Sequence, residues 1–327
     1  MITTVIGSYP KVAKDTYSTK LIGTIARWQR GEATGEQMES VARDITNAVI
    51  AEQEAAGIEL VTDGQIRWED LVTPFAGKLD GIEINGLTRW FNNNVYYRRP
   101  VVRGEPTRRG PVLVEALRFA KSCTERPVKA VLPGPYTFAT VSEDRHFRSP
   151  RRFVRRMAEL LNEEAQALAA AGAAMVQFDE PAIGFGKTDM KLAAEGLAIA
   201  AQGVKAKTAV ATYFGSLNGL FDALMRTPVD VVGIDVVSDP TSLRSLSRAR
   251  ITKELGIGCV DGRNTKLETV TQLHAVFNAL RRRVPLDRVY VSPNCGLEFL
   301  PHPQALAKLR RLGEAAASYR ATRSANR

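Results

Sequence analysis

Carboxylates stand at the points where two apolar segments of the sequence end. Asp179 and Glu180 lie near the end of AMVQFDEP (174–181), and Asp235 follows VVGI. Consecutive strand residues point to opposite faces, so Asp179 and Glu180 cannot perform the same task. One carboxylate can face a cavity and hold an amine or a cation, while the other bonds to the surrounding wall. The alternative is that both only cap a loop or pair with arginines.

A thiol is the second group that could do chemistry. Cys295 follows the apolar segment VYVSPN and precedes a glycine, which suits a metal ligand or an exposed thiolate, although a lone cysteine can also serve in packing. His146 and His302 are expected in loops on the same side, where either could add a ligand or simply be solvated. Together with Cys123 and Cys259, Cys295 forms no disulfide framework, which is typical of reduced cytoplasmic thiols.

Positioning these groups requires strands that end at a common edge. Short β-branched segments alternate with stretches of helical period, and helices are predicted over 35–56 and 150–171. Eight strands with intervening helices predict an α/β protein with a (β/α)8 TIM barrel rather than an open sheet, because the glycine-rich phosphate turn of open sheets is missing after the first strand. The predicted strands are 3–7, 58–64, 128–134, 174–181, 207–215, 229–237, 256–262 and 289–296.

Active sites of this fold lie at the carboxyl ends of the strands. The sequence therefore predicts one polar cavity that combines carboxylates, an arginine, aromatic rings and a thiol. The residues at the predicted strand ends are Ser8, Tyr9, Asp63, Gln65, Pro135, Tyr136, Asp179, Glu180, Thr212, Tyr213, Asp235, Asp261, Arg263, Asn264, Asn294 and Cys295.

One stretch interrupts the alternation of strands and helices. Residues 75–112 contain strand-like pieces and turns, which predicts a β-hairpin arm inserted after the second strand. Within it, residues 89–100, RWFNNNVYYRRP, combine groups that can stack on a flat heterocycle and hold carboxylates, or pack on a neighbour. Residues 1–320 are expected to form one barrel domain that carries this arm, and residues 321–327 a frayed tail.

The chain has a net charge of +10, from 45 Lys and Arg against 35 Asp and Glu. Its arginine clusters carry no nucleic-acid-binding signature, so a solvated basic face is the first interpretation and anionic small ligands the second. No apolar run approaches the roughly 20 residues that span a bilayer, and the N-terminus MITTVIGSYP lacks the features of a signal peptide. We therefore expect a cytoplasmic enzyme that binds neither nucleic acid nor membranes.

Taken together, these motifs resemble the cobalamin-independent methionine synthase family, including its short single-barrel members. The resemblance covers about residues 3–317 and rests on the ordered segments TTVIGSYP, GIELVTDGQIRWEDLVTPFAGKLDG, LPGPYTF, VQFDEPAI, VDVVGIDVV and VSPNCGLEFLP. It implies an S-methyltransferase of methionine biosynthesis, which moves a methyl group from a folate, a corrinoid or another carrier to a thiol such as homocysteine. In that family a zinc ion activates the thiol.

The resemblance also implies roles for individual residues. The segment IGS (Ile6, Gly7 and Ser8) matches the family segment that holds the amino acid, and Asp179 matches the aspartate that takes its ammonium group. Gln65 stands where the long enzymes have a glutamate, although some short members share the DGQ motif. The expected substrate-binding residues are Ile6, Gly7, Ser8, Gln65, Asp179, Asp235 and Asn264, and the expected catalytic residues are Asp179, Glu180, Tyr213 and Cys295.

The family's zinc ligands are a His-x-Cys pair after the fifth strand, a glutamate after the sixth and a cysteine after the eighth. Cys295 matches the last ligand, and Asp235 stands near the glutamate with a shorter side chain. Thr212 and Phe214 occupy the His-x-Cys positions, and phenylalanine cannot bind zinc. A zinc site would therefore need Cys295 and an unconventional ligand such as Asp235, His302 or His146; without zinc, a tyrosine or aspartate would have to serve as base.

Other segments are closer to the amino-terminal barrel of the two-barrel enzymes, which lacks zinc and helps to hold polyglutamyl folate. These segments are TYFG, GCVDGRNTKLE and RWFNNNVYYRRPVVRG. By this resemblance Arg103 and Lys14 correspond to basic residues that contact the folate tail. The alternative function is therefore a zinc-free barrel that binds folate or another methyl carrier and acts with a separate zinc-bearing catalytic barrel.

Overall fold

The computed structural model describes residues 1–10 and 16–324. These residues form two compact units, each assembled from segments that are far apart in the sequence. Unit 1 contains Met1–Arg67, Arg118–Val128 and Ile257–Arg327, and unit 2 contains Trp68–Leu117 and Lys129–Gly256. Within the described ranges, no helix is both long enough and apolar enough to cross a membrane.

The strands of the described residues form two sheets. The strands are β1 (Ile2–Thr3), β2 (Leu79–Arg89), β3 (Tyr96–Arg108), β4 (Lys129–Pro133), β5 (Glu143–Asp144), β6 (Met175–Asp179), β7 (Lys207–Ala211), β8 (Val231–Asp235), β9 (Glu254–Val260) and β10 (Val289–Pro293). The larger sheet has the order β1-β10-β9-β8-β7-β6-β4, and the smaller one has the order β2-β3-β5. Parallel pairing of β4, β6, β7 and β8 is what strands separated by helices require.

Helices connect most of the strands of the larger sheet. They are α1 (Thr16–Gln29), α2 (Gly35–Ala55), α3 (Thr73–Ala76), α4 (Val114–Ser122), α5 (Pro135–Val141), α6 (Pro150–Ala170), α7 (Met190–Ala200), α8 (Phe221–Met225), α9 (Ser242–Arg248), α10 (Val270–Arg281) and α11 (His302–Ser324). Two helices predicted from the sequence, α2 and α6, are confirmed. Thr34 and Gln37 form a capping box at the start of α2, and Ser149 caps α6 just before Pro150.

In unit 2, strands β4 and β6 are buried along their whole length, as expected for nearly continuous apolar segments of a parallel sheet. Their register pairs Lys129 with Met175 and Pro133 with Asp179, and the next pair aligns Asp179 with Ala211 of β7. The carboxyl ends of these three strands therefore lie at one level. The polar side chains of the candidate site begin at that level.

In unit 1, the prediction of a continuous strand over 58–64 is wrong. This segment makes isolated parallel bridges, one of them between Val61 and Val128. The reason is a buried glutamine on α2. Gln53 accepts a hydrogen bond from the N–H of Thr62 and donates one to its carbonyl oxygen, both at 3.0 Å, so a side chain replaces the neighbouring strand.

The predicted β-hairpin arm is confirmed. Strands β2 and β3 of unit 2 pair antiparallel, from Leu79 opposite Arg108 to Arg89 opposite Tyr96. Four guanidinium groups at the surface of the arm lie beside carboxylates, so the arm is not a purely basic surface. These pairs are Arg98 with Glu69, Arg99 with Glu143, Arg103 with Glu83 and Arg109 with Asp80.

Candidate functional site

The carboxylate of Asp179, the last residue of β6, is the centre of the polar cluster in unit 2. It is 2% exposed. Its Oδ1 accepts a hydrogen bond from Nε2 of Gln177 at 2.6 Å, and its Oδ2 accepts one from the hydroxyl of Tyr213 at 2.9 Å. Hydrogen bonds of this kind favour the ionised form of a carboxylate and fix its orientation.

A buried lysine continues this cluster into the sheet. Nζ of Lys129, at the start of β4, donates to Oε1 of Gln177 at 2.6 Å, so the side chains of Lys129, Gln177 and Asp179 form one hydrogen-bonded series. Burial lowers the pKa of Lys129 to about 7, although the negative charge of Asp179 opposes this shift. The negative charge of Asp179 therefore favours the ammonium form of Lys129 against the effect of burial.

Aromatic rings pack next to Tyr213. The rings of Tyr213 and Phe214 lie 4.7 Å apart, and Phe91 of the arm contacts both Phe214, at 5.9 Å, and Phe185, at 4.9 Å. Phe91 and Phe214 have backbone φ angles of +49° and +73°, values that residues other than glycine rarely adopt. Such strain persists where the surrounding structure fixes the residue, and here ring packing does so.

Asp235, the last residue of β8, caps its own loop. Its Oδ1 accepts hydrogen bonds from the N–H groups of Val237 and Ser238, at 2.9 and 2.8 Å. Its Oδ2 accepts one from the N–H of Phe214 at 3.2 Å. The structure thus brings Asp235 and Phe214 together through the backbone of Phe214.

The residues at the family's zinc positions in unit 2 do not fit a zinc ion. The hydroxyl of Thr212 donates to the carbonyl oxygen of Gly233 at 2.8 Å, Phe214 offers a hydrocarbon ring, and the carboxylate of Asp235 is engaged by three N–H groups. Among residues 1–10 and 16–324, no group of three or more His, Cys, Asp or Glu side chains could hold a metal ion. A tetrahedral zinc site needs three or four such ligands.

Glu180 has different hydrogen-bond partners from Asp179, as expected for adjacent residues that point to opposite faces of a strand. It is buried and accepts hydrogen bonds from the N–H groups of Tyr136, at 2.9 Å, and Thr137, at 2.6 Å, in the first turn of α5. A Cβ atom at Gly134 would overlap this carboxylate, so glycine is required there. Burial raises the pKa of Glu180 to about 7. Its catalytic role stays a prediction.

In unit 1, the hydroxyl of Ser8 donates a hydrogen bond to the carboxylate of Glu298. The carbonyl oxygen of Ser8 accepts one from the N–H of Leu297 at 2.9 Å, so the start of the chain is attached to the segment after β10. A Cβ atom at Gly296 would overlap both Ser8 and Glu298, which explains the glycine between them. Ser8 of the IGS segment is thus joined to Leu297 and Glu298, which directly follow the NCG segment.

Cys295 is enclosed within unit 1 and has no exposed surface. Its Sγ lies 3.4 Å from the carbonyl oxygen of Gly296, and a Cβ atom at Gly262 would come within 2.8 Å of this sulfur. The N–H of Gly262 in turn donates to Oδ1 of Asn294 at 2.8 Å. The loop after β9 therefore covers the thiol.

The two histidines expected in loops both contact glutamates, and His302 is the first residue of α11 rather than part of a loop. In unit 1, Oε2 of Glu52 lies 2.7 Å from both the hydroxyl of Tyr9 and Nε2 of His302. Burial, followed by Glu52, raises the pKa of Tyr9 well above its ordinary value. In unit 2, Nε2 of His146 lies 3.3 Å from Glu105. Neither contact needs a metal ion to explain the position of the histidine.

Gln65 is buried, with a φ angle of +50°, and its N–H donates to Oδ1 of Asp63 at 2.9 Å. Its side-chain Nε2 is buried and has no hydrogen-bond partner among the described residues. Asn264 is exposed, and its Oδ1 accepts from the N–H of Lys266 within the same loop. Ile6 and Gly7 lie in unit 1, directly before Ser8, and Lys14 lies outside the described residues.

Sequence reasoning missed Lys129, Gln177 and Glu298. Lys129 and Gln177 could have been noticed in the sequence, because they are polar residues within otherwise apolar strands. A polar side chain that is buried in this way often has a specific role. No feature of the sequence indicated the contact of Glu298 with Ser8, because the two residues are 290 positions apart and meet only in the tertiary structure.

The fold is that of a solved protein of similar length. A B12-independent methionine synthase from Shewanella sp. W3-18-1, in complex with selenomethionine, superimposes with a TM-score of 0.86 at 26% identity, covering 99% of this chain and 98% of that one. The fold is therefore the α/β (β/α)8 barrel, with the hairpin arm as an insertion.

Sequence comparison identifies the family. The chain is 30% identical over 308 residues to methionine synthase from Sulfolobus acidocaldarius and 31% identical over 309 residues to that from Saccharolobus solfataricus. These alignments cover 94% of this chain and 88% and 91% of the relatives. Residues 1–318 match the family model "Cobalamin-independent synthase, Catalytic domain". The chain belongs to the cobalamin-independent synthase family.

Proposed function

We propose that this chain is an enzyme that transfers a methyl group to the thiol of homocysteine and so forms methionine. The proposal is carried by the buried carboxylate of Asp179, whose oxygens are oriented by Gln177 and Tyr213. Family membership supports it, as do the activity named for the two archaeal relatives and the selenomethionine bound by the Shewanella protein.

Asp179 holds the ammonium group of the amino-acid substrate. Each carboxylate oxygen can accept more than one hydrogen bond, so an ammonium can bind beside the hydrogen bonds from Gln177 and Tyr213. Because Asp179 is buried, this ion pair forms away from water, where the attraction between the charges is stronger. Within unit 1, the buried Nε2 of Gln65 is a donor that suits an acceptor oxygen of a ligand.

The reaction joins the substrate sulfur to the methyl carbon. The thiolate attacks this carbon, the new sulfur–carbon bond forms, and the bond to the carrier breaks with its electron pair on the carrier. A thiol with an ordinary pKa near 8.5 is a few per cent thiolate at neutral pH, so a nucleophile exists without a metal ion. No step is assigned to zinc, because the residues at its family positions do not fit it. Tyr213 positions Asp179 through its hydroxyl.

The methyl carrier is a folate or a corrinoid. Arg103 of the arm is half-exposed and pairs with Glu83 at 2.7 Å, a surface ion pair that costs little to exchange for the anionic tail of a carrier. The alternative remains a carrier-binding barrel that acts with a separate zinc-bearing barrel. Phe214 favours this alternative, because its ring occupies a position that a zinc ligand has in the family.

Turnover with a labelled methyl donor tests the proposal. The purified chain is incubated with homocysteine and either methyl-labelled methyltetrahydrofolate or methylcobalamin, and labelled methionine is measured by mass spectrometry. Asp179→Asn should lower kcat/KM at least about a hundredfold, because an unpaired ammonium at a buried site costs several kcal/mol. The exposed Asp222→Asn, in the same unit, is the matched control and should not change it.

Two results would contradict the proposal. One is an Asp179→Asn variant as active as the wild type. The other is the absence of labelled methionine with both donors, which would favour the carrier-binding alternative if the chain binds a donor and forms methionine only after a zinc-bearing barrel is added.

A further inference from the structure

The buried series of Lys129, Gln177 and Asp179 contains one positive and one negative charge. Lys129 is 3% exposed, Gln177 4% and Asp179 2%, and the two hydrogen bonds that join them are both 2.6 Å long. The side-chain oxygen of Gln177 accepts a hydrogen bond from Lys129, and its side-chain nitrogen donates one to Asp179. The series is therefore neutral overall before any ligand arrives, as a buried group of charges must nearly be.

The ammonium group of an amino-acid ligand changes this local balance of charge. If an ammonium binds to Asp179, two positive charges share one carboxylate in a region that excludes water. Burial already lowers the pKa of Lys129 to about 7, and the charge of Asp179 is what opposes this effect. A ligand ammonium neutralises the opposing charge, so burial acts on Lys129 without compensation. A neutral amine still has an N–H to donate to Gln177, so the hydrogen bond survives the loss of the proton.

We propose that the binding of a ligand ammonium group at Asp179 expels a proton from Lys129, which makes Lys129 the exchangeable counter-ion of the substrate site. This inference rests on the proposed function, in which Asp179 holds the ammonium of homocysteine. Lys129 acts through Gln177 and Asp179 and is a positioning residue rather than a group that touches the substrate.

The ionisable groups on the elements next to β4 and β6 have the following hydrogen-bond or ion-pair partners. Glu180 follows β6 and is bound by the N–H groups at the start of α5. Tyr213, after β7, donates to Asp179. Helix α6 packs against β4, and its buried Glu164 is paired with Arg108 at 2.6 Å. Lys129 therefore differs from these groups in having its charge balanced by the residue that receives the ligand.

Calorimetry with L-methionine measures the released proton. Methionine carries the same ammonium as homocysteine but has no reactive thiol, and its ammonium stays protonated between pH 6 and pH 8. The binding enthalpy is measured in buffers with different ionisation enthalpies, and its slope against that enthalpy gives the number of protons released. For a lysine that titrates near pH 7, the expected release is close to one proton at pH 6, about one half at pH 7 and about one tenth at pH 8. By linkage, methionine should bind about tenfold more tightly at pH 8 than at pH 6.

Two variants test whether the released proton comes from Lys129 rather than from another lysine. Lys129→Met keeps the length of the side chain, removes its charge and should abolish both the proton release and the pH dependence of binding. Lys207→Met is the matched control, because Lys207 also begins a strand of unit 2 and pairs with Glu254 at 2.7 Å. The Lys207 variant should release protons as the wild type does.

The outcomes distinguish this inference from the proposed function. Methionine binding with the same enthalpy in all buffers would overturn the proton exchange while leaving the proposed function standing. No binding of methionine at any of the three pH values would overturn both. The wild-type measurement alone decides these cases, so the test does not depend on whether the Lys129 variant folds.

Discussion

The N–H of Phe214 donates a hydrogen bond to Oδ2 of Asp235 at 3.2 Å. Both residues occupy positions where the family resemblance implies zinc ligands, yet they contact each other through the backbone of Phe214. The ring of Phe214 packs on Phe91 of the arm, and the carboxylate of Asp235 also caps its own loop. We propose that ring packing and loop capping at these two strand ends take the place of the family's zinc ligands.

The role of Tyr213 can be decided from the turnover rate. Tyr213→Phe keeps the ring and removes the hydroxyl that donates to Asp179. If Tyr213 positions Asp179, kcat should fall by less than about tenfold, since general acid–base catalysis alone accounts for 10²–10⁴-fold effects. Tyr319→Phe, which removes the hydroxyl by which a buried tyrosine donates to Asn278 of α10, is the control. A loss of more than about a hundredfold would instead identify Tyr213 as the base.

The stability of the protein should depend on the protonation of Glu180. Burial raises the pKa of this carboxyl from 4.5 to about 7. Between these values the folded protein holds a proton that the unfolded chain has lost, so the free energy of unfolding should fall as the pH rises from 4.5 to 7. The total decrease from this group should be on the order of 3 kcal/mol.

Urea unfolding between pH 4.5 and pH 8 measures this decrease. Glu180→Gln keeps an acceptor for the N–H groups of α5 and removes the titration, so its stability should change less over this range than that of the wild type. The exposed Glu125→Gln should follow the wild type. If the Glu180 variant and the wild type gave parallel curves, the buried carboxyl would not titrate in this window.

The contact between the loops after β6 and β7 depends on a glycine. A Cβ atom at Gly215 would overlap the carbonyl group of Gly184 and lie 2.7 Å from the N–H of Phe185. These are backbone atoms, which cannot move aside as a flexible side chain can. Gly215→Ala should therefore destabilise the protein by about 3 kcal/mol, as overpacking does, and displace the ring of Phe185 from Phe91.

Thermal unfolding provides the measurement for this glycine. Gly110→Ala is the control, because a Cβ atom at Gly110 meets nothing within 4 Å and the backbone there does not have a positive φ angle. Equal melting temperatures for the Gly215 and Gly110 variants would show that the two loops are not in close contact in solution.

The strands of unit 2 could be predicted from the sequence because their apolar segments are short and bounded by turn residues. The alternation of side chains along a strand was enough to separate the tasks of Asp179 and Glu180. The segment 58–64 misled the prediction, because a strand pattern does not reveal that Gln53, on a helix, satisfies the backbone of Thr62.

The candidate site was only partly predictable. Strand ends identify Asp179, Tyr213 and Asp235, since parallel strands place their carboxyl ends together. The contact of Lys129 with Gln177 depends on the register between β4 and β6, which the sequence does not encode locally. The contact of Phe91 with Phe214 depends on how the arm folds back, so the sequence placed Phe214 at a family ligand position but could not predict that the arm packs on its ring.

The zinc content of freshly purified, untagged protein shows whether these strand ends have lost the family's metal ion. Elemental analysis should give less than about 0.1 zinc per chain, with no change in Cys295→Ser, because the residues at the family's ligand positions lack a tetrahedral donor set. A content near one zinc per chain that is lost in Cys295→Ser would show instead that this protein keeps a zinc site with Cys295 as a ligand.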